Sequence, residues 1–263
     1  IDGATHGVFD NSDDAHDPGL DLALAVHPQP RRVLAIGLGD GRMIQSLLGS
    51  QDVERVVVVE LNSALREIIE HTPVGQAIFS SGRIDYVVDD GRRWLFAHPA
   101  ERFDMVVMWP LHAAHALSGN LFSKEFFEEI ERHLNDPGML FLHTSDLHST
   151  PRTLATVYSE VFRIGGGTYL AWISSPQIDL EHGLWSHEEI ESLIEADRDL
   201  ILEQTRGAPL NLDLRPNSEY YLTYAHPGCM ASRPAPCRRY ALTDKTRLAR
   251  FFRPARLDPA RQG

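Results

Sequence analysis

A chain of 263 residues, 43% of them hydrophobic, has enough apolar mass for one large core, or for one core and a small appendage. The net charge of −12 is unevenly spread: from His226 onward nine Arg or Lys face Asp244 and Asp258, giving +7, so residues 1–225 carry 16 basic against 35 acidic groups, or −19. Such an acidic body argues against nucleic-acid binding and suits either a cationic partner or solubility alone, and no window approaches the roughly 18 unbroken apolar residues of a membrane span.

The chain opens at Ile1-Asp2-Gly3 without a start methionine or signal-peptide pattern, which suggests a domain cut from something longer. Residues 1–14 read as the remnant of a small β element. Five apolar runs of strand length follow, at 32–37, 55–60, 84–88, 104–108 and 138–143. Runs rich in Val and Ile without alternation suit strands covered on both faces, as in a parallel sheet. Amphipathic stretches at 63–71 and 123–134 lie between them, the second with a helix start at Ser123 and a stop at Asn135-Asp136-Pro137-Gly138. A further helix is expected over 151–160. Runs at 161–164 and 168–174 then flank Gly165-Gly166-Gly167 as a terminal antiparallel hairpin.

Strand and helix alternate five times, which predicts an α/β fold: a doubly wound, mostly parallel sheet of about seven strands. The nucleoside-binding α/β domain is expected over residues 15–225. Residues 226–263, with Pro234, Pro236, Pro254 and Pro259 among arginines, read as a poorly ordered or docking tail. Cys229 and Cys237 are too few for a disulfide framework and lack companions for a zinc site. A reducing, cytoplasmic location is the matching expectation.

Ligands of open α/β sheets bind outside the carboxyl ends of the strands. The first strand ends in Gly37-Leu38-Gly39-Asp40-Gly41, where glycines let a ligand approach the backbone and the next helix offers N–H donors. A dinucleotide fingerprint would place Gly or Ala at Arg42. With Asp40 inside the loop, a pyrophosphate fits poorly and a positively charged ligand fits better. Glu60 closes the second strand about 20 residues on, where a carboxylate can accept both hydroxyls of a ribose. Asp89-Asp90-Gly91 closes the third, where an acid can accept from an adenine amino group. Read singly, Glu60 is also a solvated strand-end charge and Asp90-Gly91 also a turn; three acids at three successive strand ends point together to a nucleoside.

These pieces resemble the spermidine synthase (aminopropyltransferase) family, in particular the spermidine-synthase-like domains that bacteria fuse to membrane segments. The matching stretches are IDGATHG, VLAIGLGDG, VVVVELN, VVDDGRRWL and GNLFSKEFFEEIERHLNDPGML, with LNLDLRP and SEYYL over 210–222 resembling the closing motif of the fused members. The resemblance implies a class I methyltransferase-like fold. It also implies S-adenosylmethionine or its decarboxylated form as co-substrate, with Asp40 at its amino-acid or aminopropyl end, Glu60 at the ribose and Asp90 at the adenine. A cationic amine acceptor follows from it, and attachment to membrane segments outside this chain or a homodimer is compatible with it.

The departure lies in VVMWPLH. Aminopropyl-transferring members of the family end the fourth strand with an aspartate and place a second one shortly after, to bind and deprotonate the amine. Here Trp109 and His112 occupy those places, and His16-Asp17-Pro18 replaces a tyrosine-containing stretch. Trp109 cannot be a base; it can stack on a flat group, make a cation–π contact or simply cover the pocket. His112 is the replacement base, since imidazole titrates near neutral pH. A metal alternative would draw on His112, His115, His143, Asp146 and His148, but needs three or four ligands converging at about 2.0–2.2 Å; substrate contact or a solvent-facing loop is the expected role, and no metal is expected. Three readings result: aminopropyl transfer to an amine other than the usual one, S-adenosylmethionine-dependent methyl transfer, and non-catalytic nucleoside sensing.

Overall fold

The computed structural model of the chain describes residues 17–109, 119–176 and 185–216. The β element expected over 1–14, His16, His112, His115, the closing motif beyond residue 216 and the basic tail lie outside the described residues.

Seven strands form one sheet: β1 (Arg32–Ile36), β2 (Arg55–Glu60), β3 (Ile84–Val88), β4 (Phe103–Met108), β5 (Leu134–His143), β6 (Glu160–Arg163) and β7 (Thr168–Trp172). Their order is β3-β2-β1-β4-β5-β7-β6. Strands β1 to β5 pair in parallel, and β7 runs antiparallel to both β5 and β6. The expected terminal hairpin is therefore present, with its second strand inserted between β5 and β6.

Alternate residues of each strand serve opposite faces, because successive side chains leave a strand on opposite sides. Val33, Ala35, Val56, Val58, Met105, Val107, Met139 and Phe141 meet α1 (Pro18–Val26), α2 (Arg42–Gly49), α3 (Leu65–Glu70), α4 (Pro73–Ser80) and α8 (His187–Leu193). Leu34, Ile36, Val57, Val59, Val106, Met108, Leu140 and Leu142 meet α5 (Gly91–Ala97), α6 (Lys124–Arg132), α7 (Ser149–Val157) and α9 (Arg198–Gln204). Each fully buried aliphatic side chain contributes roughly 1.5–3 kcal/mol, so both faces of the central strands favour apolar residues. The unalternating apolar runs have this cause.

The differences from the sequence reading are local. Helix α1 was not anticipated, although the Asp17 side chain accepts from the Leu20 N–H at 2.9 Å and Pro18 opens the first turn. The stretch 63–71 is the shorter α3, and Thr72 caps a separate α4 through the Gly75 N–H. Ser123 caps α6 as expected, by accepting from the Phe126 N–H. That helix ends at Arg132 and β5 begins at Leu134, so Asn135-Asp136-Pro137-Gly138 lies in the lead of the strand, where the β4–β5 register shifts between Phe103 and Met105.

Sequence order reverses between β1 and β4, which are neighbours but not consecutive. The crevice of an open α/β sheet opens at that switch point, on the carboxyl edge. The Gly37–Gly41 loop and Trp109 stand on its two sides.

Candidate active site

Strand β1 runs out into Gly37, whose N–H donates to the Val59 carbonyl at 2.9 Å, and the chain turns at Gly39 into Gly41, the N-cap of α2. The glycines serve different ends. A Cβ on Gly41 would stand 2.9 Å from Ile78 Cδ1 and 3.0 Å from Val74 Cγ1, so that glycine lets α4 pack against the loop. A Cβ on Gly39, at φ +58°, would meet nothing within 4 Å. Its side faces open space at the switch point, where a ligand can reach the backbone. Asp40 lies in the same loop, accepting from the Arg42 N–H at 3.2 Å with Arg42 Nε 3.6 Å from its other oxygen. The loop acid therefore shares its charge with Arg42.

Glu60, at the end of β2, is 8% exposed. Its Oε2 accepts from the Leu38 N–H at 2.8 Å and its Oε1 from the Asn62 N–H at 2.7 Å. One carboxylate thus fastens the glycine loop of β1 to the end of β2. An ionised carboxylate offers about four acceptor positions, so two bonds leave it room for two hydroxyl donors.

Beyond β3 the acids divide. Asp89 Oδ1 accepts from the Asp90 N–H and from Arg93 Nε, both at 2.6 Å. Asp90 is the N-cap of α5: its Oδ1 accepts from the Arg93 N–H at 2.8 Å, which leaves Oδ2 for another donor. Gly91 is buried, and a Cβ there would lie 2.6 Å from Ile36 Cγ2, so glycine lets α5 close onto the end of β1. Of the two, Asp90 carries fewer donors on its carboxylate at this strand end.

Apolar side chains flank these acids. Leu61, next to Glu60, is 71% exposed, and Val88, the last residue of β3, is 49% exposed. With Trp109 after β4 and Leu147 after β5, four of the seven exposed large hydrophobic residues among the described residues lie on the carboxyl edge. Exposed apolar groups gathered beside convergent polar ones are the ordinary lining of a small-molecule cleft.

The β4–β5 side is built differently. Trp109 stacks on His143 at 4.5 Å between ring centroids and 13° between planes, and lies 6.3 Å from Phe141. His143 Nδ1 is 3.1 Å from Thr168 Oγ1 on β7. Asp146 is buried and saturated: Oδ1 accepts from the His148 and Ser149 N–H groups, and Oδ2 from the N–H and hydroxyl of Thr150. It organises the start of α7. Among the described residues no group of three His, Cys, Asp or Glu is placed to hold a metal ion.

The segment Leu210–Pro216 ties the two sides together. Arg92, next after Asp90-Gly91, makes a two-pronged pair with Asp213 at 2.7 and 2.5 Å and also donates to Ser123 Oγ and the Asn120 carbonyl. Burial pushes the Asp213 carboxyl up, but the hydrogen bonds from Arg92 and Ser123 and the charge of Arg92 outweigh it and hold it below the usual carboxylate range. Two residues earlier, the Asn211 carbonyl accepts from the Lys124 N–H, and its side-chain amide donates to Thr150 Oγ1, which in turn donates to Asp146.

Residues 20–179 match the spermine/spermidine synthase domain family. The chain belongs to that family. It is 30% identical over 169 residues to a polyamine aminopropyltransferase of Thermococcus onnurineus, covering 61% of this chain and 59% of that protein. Polyamine aminopropyltransferase 2 of Pseudomonas aeruginosa is 28% identical over 212 residues, 74% of this chain and 60% of that one. The chain thus spans about three-fifths of the length of these curated relatives. The solved spermidine synthase of Thermotoga maritima shares the fold, with a TM-score of 0.50, 18% identity and coverage of 69% and 70% of the two chains. A spermidine synthase solved with the transition-state analogue AdoDATO matches likewise, at a TM-score of 0.51 and 18% identity.

Within the family's fold, the sequence reading located the glycine loop and the strand-end acids but missed Leu61, Val88, the partner of Trp109 and the ties made by Asp213. An apolar residue directly after a strand-closing acid was the available signal for Leu61. No local signal pairs Trp109 with His143, because the contact joins two strands 34 positions apart in sequence.

Proposed function

We propose that this domain is a transferase that binds decarboxylated S-adenosylmethionine, or S-adenosylmethionine, on the β1–β3 edge and passes an aminopropyl group to an amine other than the family's usual acceptor. The observation that carries the reading is Glu60, a nearly buried carboxylate strapped to the glycine loop with acceptor capacity to spare. The side chains suit a nucleoside: Glu60 to accept from the ribose hydroxyls, Asp90 to accept from the adenine amino group, and Leu61 and Val88 for the faces of the base. Asp40, with Gly37 and Gly39 leaving the backbone open, is assigned to the charged end, and Asp89 and Gly91 support Asp90. Displacement at a sulfonium carbon needs mainly alignment and exclusion of water, which a rigid strand edge supplies. Trp109 faces the acceptor, and His112 is assigned as proton acceptor.

Methyl transfer is the second reading, favoured by Trp109 at the end of β4 in place of an acid. Calorimetric titration of the full chain with S-adenosylmethionine and with its decarboxylated form separates the two. Preference for the decarboxylated form is expected. Preference for the carboxylated form sinks aminopropyl transfer in favour of methyl transfer or sensing.

A further inference from the structure

On the acceptor side the strand ends present rings, and the carboxylates near them differ in what they have left to give. Asp146, after β5, has both oxygens filled by four donors. Glu195, beside the turn at Gly165, pairs with Arg163 at 3.2 Å. Asp17, at the head of α1, accepts from the Leu20 N–H through Oδ1 at 2.9 Å, and its other oxygen has no partner among the described residues. Its place is fixed from two sides. The Asp17 N–H donates to Ser46 Oγ at 3.0 Å, which ties the head of α1 to α2, the helix that leaves the glycine loop. Gly19 puts no side chain between the carboxylate and β7: a Cβ there would stand 3.1 Å from Asp17 Oδ1 and 3.6 Å from Thr168 Cγ2. Thr168 pairs with His143 at the carboxyl end of β5, its Oγ1 3.1 Å from His143 Nδ1, and His143 lies parallel to Trp109. Asp17, Thr168, His143 and Trp109 thus follow one another across this edge, from a partly used carboxylate to a 41% exposed indole.

Building on the transferase reading, we infer that Asp17 is the carboxylate that receives an ammonium of the acceptor, and that the acceptor is an aliphatic amine whose methylene chain lies along Trp109. A positive charge taken out of water into a cleft needs a negative partner, and a hydrogen bond from an ammonium to a carboxylate is among the strong ones. Of Asp17, Asp146 and Glu195, only Asp17 combines a place beside Thr168 with a carboxylate that holds a single donor. The cap bond to Leu20 already holds that side chain, so meeting an ammonium requires little further ordering. Trp109 adds apolar area for the methylenes and a ring face that attracts a cation. The acidic body steers such a cation toward the molecule. An amine acceptor is thereby accommodated without an acid at the end of β4, because the charge is met from a helix instead of a strand.

Asp17→Asn separates the charge from the cap, because Asn caps a helix about as well as Asp does. The test measures 5′-methylthioadenosine release by the full chain from decarboxylated S-adenosylmethionine, with putrescine, cadaverine and spermidine as acceptors. For the best of these amines, Asp17→Asn should raise KM about tenfold or more, the scale of a lost charged hydrogen bond. KM for the nucleoside substrate should stay within twofold, and the thermal melt should be unchanged. Asp17→Glu, which keeps the charge, should recover part of the loss. An unchanged acceptor KM in Asp17→Asn overturns the inference and leaves the transferase reading standing. A rise in KM for the nucleoside substrate instead places Asp17 against the donor and overturns it likewise. Release with none of the amines overturns it too, and if 5′-methylthioadenosine also fails to bind, the nucleoside reading falls with it.

Discussion

Glu60 and Asp90, at the ends of β2 and β3, each give part of their hydrogen-bonding capacity to backbone N–H groups and keep the rest. Asp146, after β5, gives all of it: four donors, all within α7 or just before it. Both sides thus carry acids at the carboxyl edge, and composition alone does not tell them apart. The distinction is occupancy. A strand-end carboxylate that is held but not filled keeps acceptor capacity for a ligand; one that is filled serves only its own chain. Where the second side faces solvent it offers aromatic rings instead.

The largest effect that sharpens this contrast is Asp146→Ala. Removing the acceptor for three backbone N–H groups and a hydroxyl should cost about 2–4 kcal/mol, since buried donors left unpaired are penalised individually. Urea unfolding reads the loss, and affinity for 5′-methylthioadenosine should stay within twofold. A variant of native stability with weakened binding would move Asp146 from cap to site.

The two glycines of the loop give an intermediate pair. Gly41→Ala combines a left-handed backbone with contacts near 3 Å to Ile78 and Val74, and should cost about 2–4 kcal/mol. Gly39→Ala meets open space, so its stability cost should be only about 1–2 kcal/mol from the backbone conformation. Its new methyl group should nevertheless weaken nucleoside binding at least tenfold. If thermal melts and titrations rank the two variants the same way, the open side of Gly39 is not where the ligand lies.

The smallest effect concerns the tie between the halves. Asp213 joins Arg92, at the start of α5 beyond β3, to the Asn211–Thr150–Asp146 chain beyond β5. The carboxyl is held below its usual range in the folded protein, so its stabilisation is complete above the unfolded value of about 3.9 and is lost as pH falls through the folded value. Asp213 is about a third exposed, and solvent screening limits Asp213→Asn to about 1 kcal/mol at pH 7. The gap between wild type and variant should narrow as melts are taken to pH values progressively below the ordinary carboxylate range. A gap that persists there would assign the loss to packing instead of charge.

Much of this was legible in the sequence, for identifiable reasons. The Val-rich runs announce strands because both faces of β1, β2 and β4 are covered. Glu60 is visible because charge at the end of such a run stands out. Occupancy is not visible: Asp146 reads as a candidate ligand until its four donors are seen, and Asp40 reads as unshared charge until Arg42 is placed beside it. Leu61 and Val88 escape notice because an apolar residue at a strand end reads as core, and only exposure distinguishes a wall from an interior. The stop at Asn135-Asp136-Pro137-Gly138 misled in one respect, since a chain can enter a strand through such residues when the neighbouring register shifts.

The proposed nucleoside assignment of the β1–β3 edge converges on Glu60. Calorimetric titration of 5′-methylthioadenosine into the full chain and into Glu60→Gln is the most direct test. The amide keeps the size of the side chain but loses the charge and one acceptor oxygen. The wild type should bind, and the variant should bind at least tenfold more weakly while still unfolding cooperatively. Equal affinity in the two proteins, or no binding by the wild type, would contradict the assignment of this edge to a nucleoside.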